Sequence, residues 1–289
     1  MYEKLESCPS CGHTHFTNHI ICTDHAFSKE SFALVKCSKC ELVFTNPRPD
    51  KEKIKDYYKS DTYISHTNAA NNLINILYKI VRSFTLRSKY LLISKYKKRK
   101  RILDFGCGTG HFINYMNKKG WNTSGYEPYI DPNINSDKNI KIFKSIKEIE
   151  DAEKFDVITA WHVLEHVHDL KDTLKLLRKR LKKGGVLFIA VPNLNSMDAN
   201  LYKDLWAAYD VPRHLYHFSQ RSFKKLAEQV KLNHIKTYPM KFDAYYVSLL
   251  SEKYKGSNKP YQAVLNGFKS NRMATKTGEY ASLIYVLKA

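Results

Sequence analysis

Strands and helices alternate from residue 101 onward, and this alternation constrains the fold more than any other feature of the 289-residue sequence. Apolar runs with strand character occur at RILDF, NTSGYE, IKIF, FDVITAW and VLFIAVPN, and two later ones at HIKTYPM and ASLIYVLK. The longest helical stretch between them, DLKDTLKLLRKRLKKGG, is predicted to end at its double glycine. Alternating strands and helices favour right-handed crossovers and a mostly parallel sheet covered on both faces. We therefore predict a doubly wound α/β fold with seven strands.

A glycine-rich turn follows the first of these strands, in ILDFGCGTGHF. The strand ends in Asp104, and Gly106, Gly108 and Gly110 precede a helix. Glycines let the backbone turn sharply and let a ligand approach without meeting a Cβ, and a helix N-terminus offers unpaired N–H groups. Dinucleotide enzymes use the pattern G-x-G-x-x-G, but His111 stands where its third glycine belongs. The turn indicates a cofactor site of another kind.

The spacing D-x-G-x-G-x-G resembles motif I of the class I S-adenosylmethionine-dependent methyltransferases, whose fold is Rossmann-like. The resemblance implies that Asp104 and the three glycines bind this cofactor. It also implies an acidic residue after the second strand that accepts hydrogen bonds from both ribose hydroxyls, and Glu127 stands there, 23 residues after Asp104. Relatives often carry an acid after the third strand to bind adenine. Here IKIFKSIKEI has no such aspartate, which leaves Ser145 or backbone groups near Ile146.

The fourth strand and its continuation, FDVITAWHVLEHVHD, resemble the motif of a subfamily that includes ubiquinone-type O-methyltransferases and bacterial sugar-cluster enzymes. In that subfamily these residues line the pocket around the transferable methyl group, which implies Trp161 and His162 on the cofactor side. Glu165 and His166 follow. Glu165 can orient a neighbour or catalyse, and His166 can be functional or can cap a helix or pack in the interior. The resemblance covers roughly residues 101–218.

Two Cys-x-x-Cys pairs, separated by 25 residues, distinguish the N-terminal segment. Four thiolates in such pairs give closed tetrahedral zinc coordination, which is a structural site. Metal ligation supplies folding energy that a core of about 50 residues cannot. Two disulfides are the alternative, and they are disfavoured in a reducing cytoplasm. We predict a zinc ribbon whose ligands are Cys8, Cys11, Cys37 and Cys40, with Cys22 and Cys107 as incidental thiols.

The segment WAAYDVPRHLYHFSQRSF follows the fifth strand and is the main candidate for the acceptor site. It resembles a segment of bacterial sugar methyltransferases that also carry an N-terminal four-cysteine module. In sugar C-methyltransferases a Glu-His pair occurs there with histidine as the base, which implies His214 as the catalytic base of this chain. Arg213 replaces the glutamate and suggests an anionic acceptor. The alternative is that the segment merely packs its loop onto the sheet.

The chain divides into a zinc-ribbon module at 1–50, a helical linker and cofactor lid at 51–98, and a methyltransferase domain at 99–289 with a substrate insertion at about 243–280. In relatives a stretch such as DTYISHT folds over the cofactor, which makes Tyr63 and His66 weaker site candidates. The first residues are charged where a secretion signal would be apolar, and no apolar run approaches the roughly 20 residues of a membrane helix. We therefore expect a cytoplasmic protein.

A formal charge of +20 favours a polyanionic partner, such as RNA, DNA, a nucleotide sugar or an acidic membrane surface. The densest basic run, KYKKRKR at 95–101, is interpreted as a solvated helix end, with contact to a polyanion as the alternative.

The favoured function is methylation of a small molecule, such as a sugar or a nucleotide sugar. An RNA methyltransferase is the nearest alternative because some carry a zinc module. Against it, AWHV replaces the NPPY-type motif after the fourth strand. A cofactor-binding or scaffold protein without catalysis is the third interpretation.

Overall fold

The computed structural model describes residues 1–58, 73–128, 140–152, 154–257 and 259–289, with only the backbone of residues 73–80. Tyr63 and His66 lie outside these ranges. The N-terminal part contains β1 (Tyr2–Glu3), β2 (Phe16–Thr23), β3 (Ser31–Cys37), β4 (Val43–Thr45), β5 (Arg48–Pro49), a 3₁₀ helix (Lys53–Tyr58) and α1 (Leu73–Tyr96). 

The remaining elements alternate as predicted through the fifth strand of the large sheet. They are β6 (Arg101–Phe105), α2 (His111–Lys118), β7 (Asn122–Tyr126), β8 (Lys141–Phe143), α3 (Ile146–Glu150), β9 (Phe155–Trp161), α4 (Leu170–Arg180), β10 (Leu181–Pro192), α5 (Met197–Tyr202), β11 (Tyr216–His217), α6 (Gln220–Gln229), β12 (Asn233–Pro239), α7 (Asp243–Tyr254), α8 (Pro260–Thr277) and β13 (Ser282–Lys288).

Seven strands form the large sheet, in the order β12-β13-β10-β9-β6-β7-β8. The strands from β6 to β10 pair in parallel, and β13 lies antiparallel between β10 and β12. Because the central strands are covered on both faces, β9 and residues 186–191 of β10 are almost continuously buried and mostly apolar rather than alternating. Each fully buried leucine, isoleucine or phenylalanine contributes about 1.5–3 kcal/mol. The predicted seven-stranded, mostly parallel α/β fold is confirmed.

The boundary between α4 and β10 differs from the prediction. The helix ends at Arg180, and Leu181 already pairs with Phe155 of β9. The double glycine lies inside β10, where the register shifts between Leu181 and Val186. Gly184 has a φ of +69°, so the glycines allow an irregularity in the strand rather than ending the helix.

The N-terminal segment is joined to the rest of the chain through a second sheet of four strands, in the order β11-β4-β3-β2. Tyr216 and His217 form β11 and pair with Phe44 and Val43 of β4. The Thr45 amide also donates to the Leu215 carbonyl over 3.1 Å. The cysteine-rich segment thus holds the backbone that carries His214. In the part of the chain that the structure describes, no helix is long and apolar enough to cross a membrane.

Candidate functional site

The glycine turn lies at the carboxyl end of β6 and meets the end of β7. Gly106, Gly108 and Gly110 have φ values of +76°, +48° and +79°, which favour glycine. A Cβ on Gly106 would lie 2.4 Å from a methyl group of Val163, whereas one on Gly108 would meet nothing within 4 Å. The Gly108 amide donates to Glu127 Oε2 over 2.9 Å. The turn is therefore packed against Val163 at Gly106 and open at Gly108. Glu127 lies beside the open part.

Asp104 and Trp161 form a corner beside this turn that favours positive charge. Asp104 is 2% exposed and accepts a 2.6 Å hydrogen bond from the Thr159 hydroxyl. Burial raises the pKa of Asp104 to about 7, although Thr159 and the Lys89 charge oppose the rise. The Lys89 ammonium lies 4.2 Å from the centroid of the Trp161 ring, whose other neighbour is the edge of Phe112. An acid and an aromatic face thus enclose a cation.

His162 links the end of β9 to the start of α7. Its φ of +55° is rare for a non-glycine residue, and its amide donates to the Ala190 carbonyl over 2.9 Å. Its ring nitrogens lie 3.2 Å from Glu165 Oε1 and 3.0 Å from Asp243 Oδ2. Burial alone would lower the pKa of His162, but the bonds to Asp243 and Glu165 outweigh it and raise the pKa to about 10. His162 is therefore an imidazolium between two carboxylates near neutral pH.

Glu165, His166 and His214 form a buried cluster next to His162. A ring nitrogen of each histidine and a carboxylate oxygen of Glu165 all lie within 4.8 Å of one another. The two imidazole rings meet edge to face, with centroids 4.6 Å apart. Glu165 is fully buried, and among the described residues its Oε2 has no hydrogen-bond partner. An unpaired buried oxygen is costly, so this cluster offers chemistry that the fold alone does not need.

A hydrogen bond to a backbone carbonyl determines which ring nitrogen of a neutral His214 carries the proton. His214 Nδ1 lies 2.8 Å from the Ala208 carbonyl, which can only accept, so Nδ1 is protonated and the neutral ring keeps its lone pair on Nε2. His166 Nδ1 lies 3.0 Å from both the Arg213 carbonyl and the Tyr58 hydroxyl. Burial and the nearby His214 lower the pKa of His166 to about 4. His166 is thus neutral at pH 7, and the neutral form of His214 presents its lone pair on Nε2.

The Arg213 guanidinium is bonded inside the protein, so it is not available to bind a methyl acceptor. Arg213 is 1% exposed, and its guanidinium donates to Asp24 over 2.9 Å and to Asp210 over 2.6 Å. The expectation that Arg213 binds an anionic acceptor is therefore wrong, because the two carboxylates satisfy this arginine inside the protein. Asp24 lies 189 residues before Arg213 in the sequence, and no local sequence pattern indicates that the two are partners.

Replacing Arg213 by methionine is expected to lower the free energy of unfolding by about 3–5 kcal/mol, because it leaves buried carboxylates without their cation. The matched control is Arg221→Met. That arginine is 65% exposed in its ion pair with Glu41, so the loss should stay below about 1 kcal/mol. Urea unfolding measures both variants. Equal losses in the two would show that the buried pair has no special contribution.

Tyr216 and His217 of the acceptor segment make their hydrogen bonds away from the cluster. The Tyr216 hydroxyl donates to the His168 carbonyl over 2.7 Å, and His217 is buried against Thr45 in the small sheet. Ser145, the predicted adenine contact, accepts from the Glu148 amide and caps α3. Of this segment the structure brings His214 to the cluster, with Asp210 Oδ2 3.9 Å from its Nε2, and it uses the Ser145 hydroxyl for a helix cap.

The four predicted zinc ligands meet at one point of the N-terminal segment. The Sγ atoms of Cys8 and Cys40 are 3.5 Å apart, as are those of Cys11 and Cys37, and all four lie within 4.8 Å of one another. A disulfide requires about 2.05 Å, so these thiols are not paired covalently. Tetrahedral zinc with Zn–S bonds of about 2.3 Å places its sulfurs roughly 3.8 Å apart. The thiols therefore fit a zinc ion.

The two Cys-x-x-Cys turns share one backbone design. The residue after each second cysteine, Gly12 or Glu41, has a positive φ and donates its amide to the carbonyl of the first cysteine, over 2.8 and 3.0 Å. Each turn thereby directs both of its thiols inward. The repeated geometry supports the same interpretation as the sulfur distances.

A basic pocket of about 410 Å³ lies at the amino ends of β6 and β7, away from the glycine turn. Its lining includes residues 99–101, the end of the basic run. Contact between this run and a polyanion stays a prediction.

A family model described as a methyltransferase domain matches residues 80–237, just over half of the chain. The chain belongs to this methyltransferase family. The matched residues include the glycine turn, Glu127, the buried histidine cluster and the strands that position them. Together with the confirmed fold, this establishes an S-adenosylmethionine-dependent methyltransferase domain, as the glycine motif indicated.

The methyltransferase is also similar to curated ubiquinone biosynthesis O-methyltransferases. It is 32% identical over 140 residues to that of Pelagibacter ubique, covering 42% of this chain and 54% of the relative. It is 34% identical over 133 residues to that of Coxiella burnetii, covering 43% and 56%. The chain thus spans about half the length of these relatives.

Among solved structures, the magnesium protoporphyrin IX methyltransferase of Synechocystis PCC 6803 aligns with a TM-score of 0.53 at 12% identity. The alignment covers 83% of this chain and 100% of the Synechocystis chain. A methyltransferase of Archaeoglobus fulgidus aligns at 0.50 and 16% identity, covering 75% and 100%. These likenesses confirm the fold.

Proposed function

We propose that this methyltransferase transfers a methyl group to an oxygen of a hydroxylated small molecule, with His214 as the general base. The observation that carries the proposal is the buried cluster of His214, Glu165 and His166 beside His162. A sugar-type acceptor rests on the sequence resemblance alone, and the named relatives are ubiquinone O-methyltransferases. Methylation at a hydroxyl oxygen is common to a sugar-type acceptor and to the reaction named for the O-methyltransferase relatives.

The residues around the glycine turn fit S-adenosylmethionine. Gly108 leaves open space where a ligand can approach the backbone, and Glu127 lies where ribose hydroxyls would be bound. The Trp161 ring and the Asp104 charge both attract the Lys89 ammonium, whose pKa burial nevertheless lowers to about 8, and the same two groups would attract a cationic cofactor. When bound, S-adenosylmethionine supplies a methyl group activated by a positive sulfur.

His214 would take the acceptor's hydroxyl proton on Nε2, while its Nδ1–H stays bonded to the Ala208 carbonyl. The charge that develops on the ring lies within 4.8 Å of a Glu165 oxygen, and Nε2 lies 3.9 Å from Asp210 Oδ2. These carboxylates would stabilise the imidazolium. His162 holds Glu165 in place, so it acts as a positioning residue.

A structural zinc ion in the four-cysteine site is the second part of the proposal. Four thiolates leave no open coordination position, so the metal would not take part in methyl transfer. Its contribution would be indirect, because β4 pairs with β11, directly after His214.

Glu127→Ala is expected to weaken binding of S-adenosylhomocysteine by about 10- to 100-fold, since hydrogen bonds to a charged group contribute about 1.5–3 kcal/mol. Glu150→Ala, at an exposed glutamate of α3, is the matched control and should bind normally. Isothermal titration calorimetry measures both, with melting temperatures to verify folding. Unchanged affinity in Glu127→Ala would refute the ribose contact.

The proposed function is tested by methyl transfer from radiolabelled S-adenosylmethionine into a cell extract, fractionated into RNA, protein, glycan, lipid and small molecules. Label in a small-molecule, glycan or lipid fraction, on a base-stable ether carbon–oxygen bond, would support the proposal. Nuclease-sensitive label would favour the RNA alternative. Cofactor binding without any transfer would favour the scaffold alternative.

A further inference from the structure

The hairpin of α7 and α8 exposes apolar side chains in a helical pattern. Tyr246 and Leu249 lie on α7, and Tyr261, Val264, Leu265 and Phe268 on α8, each between 47% and 58% exposed. The α8 residues have the spacing i, i+3, i+4, i+7 of a single helix face. A contiguous apolar face of this kind on a soluble protein marks a contact surface.

The inward side of the same hairpin combines small apolar residues with hydrogen-bonded polar groups. Glu252 Oε1 accepts hydrogen bonds from Tyr202 over 3.1 Å and from Asn266 over 3.2 Å. Ser270 donates to Asp198 over 2.8 Å, and Ser270, Glu252 and Asn266 are all buried. Surface helices of soluble proteins usually bury their large apolar side chains, whereas several of those in this hairpin lie on its outer side. Because the inner side packs through small residues and satisfied polar groups, the outer apolar face does not contribute to the core of this chain.

The charges around the apolar face have one sign. Residues 241–277 contain seven exposed basic residues, which are Lys241, Lys253, Lys255, Lys259, Lys269, Arg272 and Lys276. The two acidic residues of the range are engaged inside, because Asp243 pairs with His162 and Glu252 is 4% exposed. A second copy of the chain would bring like charges together across a symmetric interface. An anionic bilayer complements both the apolar face and the basic residues.

We propose that the outer face of the α7–α8 hairpin docks on an anionic lipid bilayer. The helices would lie in the interface, with their apolar side chains among the acyl chains and their lysines at the headgroups. Asp243 begins α7 and lies 3.0 Å from His162, so docking places the bilayer beside the candidate site. An acceptor carried in the membrane could then reach the cluster. Docking itself does not depend on the proposed function.

The test is co-sedimentation of the full chain with vesicles of phosphatidylcholine alone or of phosphatidylcholine containing phosphatidylglycerol. We expect binding to the anionic vesicles, weakened by salt. The double variant Leu265→Glu/Phe268→Glu should reduce it about tenfold or more. Ile21→Glu, at a 67% exposed isoleucine of β2, is the matched control and should bind like the wild type. Lys255→Gln/Lys259→Gln should reduce binding by about fivefold per lysine.

Unchanged melting temperature and S-adenosylhomocysteine binding in each variant verify that the fold and the cofactor site are intact. The proposal is overturned if wild-type protein binds neither kind of vesicle, or if the hairpin variants and Ile21→Glu bind equally well. It is also overturned if light scattering finds a dimer that Leu265→Glu/Phe268→Glu dissociates, because the face would then be covered by a second copy. Failure of methyl transfer with intact vesicle binding would affect only the proposed function.

Discussion

Chelation of the zinc ion proposed for the four-cysteine site is expected to lower the melting temperature by about 10 °C or more. Structural zinc contributes apparent binding energies of about 10–16 kcal/mol in small zinc domains, and this energy is folding energy. A loss of only several kcal/mol would shift the melting temperature of a chain of this size by roughly ten degrees. Because β4 pairs with β11, the loss should extend to the segment that carries His214.

The measurement is calorimetry of the full chain with and without a strong chelator, together with elemental analysis for zinc. Cys40→Ser should reproduce the effect of the chelator. Cys22→Ala should not, since Cys22 is buried in β2 outside the four-thiol cluster and its change should cost only a small packing loss. Purified protein that lacks zinc and melts at the same temperature with chelator would show that the thiols alone sustain the segment.

Replacing His214 by alanine is expected to reduce kcat by about 10²- to 10⁴-fold, the range that a positioned general base contributes. In its neutral form His214 carries the lone pair on Nε2, and His166 beside it is too weak a base to substitute fully, because burial lowers the pKa of His166 even without His214. Binding of S-adenosylhomocysteine should stay within about twofold of the wild type. This combination separates loss of proton transfer from loss of the cofactor site.

The acceptor for this measurement is the one identified by radiolabel transfer into the extract. His234→Ala is the matched control, since His234 lies on β12 and bonds only locally to Thr237 over 2.8 Å. It should keep full turnover. Full turnover by His214→Ala across the pH range would remove His214 from the mechanism and leave Glu165 as the candidate base.

Local patterns in the sequence sufficed for the elements of the large sheet and for the glycine turn. The strands at 101–105 and 155–161 are short apolar runs, and buried parallel strands need little beyond such a run and its flanking turns. Glycine at 106 is required by a positive φ and a close methyl group, both consequences of a turn that the motif already specifies. The double glycine was wrongly predicted to end the helix, because glycine is as compatible with a helix end as with an irregular strand.

What the sequence by itself determined was therefore the alternation of strands and helices, the glycine turn between Asp104 and Glu127, and the four thiols at metal-ligand spacing. Only the tertiary structure decided that Arg213 points inward to Asp24, that Glu165 and His166 meet His214, and that α7–α8 turns its apolar face outward. The reason is the separation along the sequence of the residues that interact. Strand periodicity, turn chemistry and Cys-x-x-Cys spacing act over a few residues, whereas ion pairs and buried clusters join residues 47 to 189 positions apart. Which partner satisfies a buried charge depends on how the sheets pack, and no local pattern contains that information.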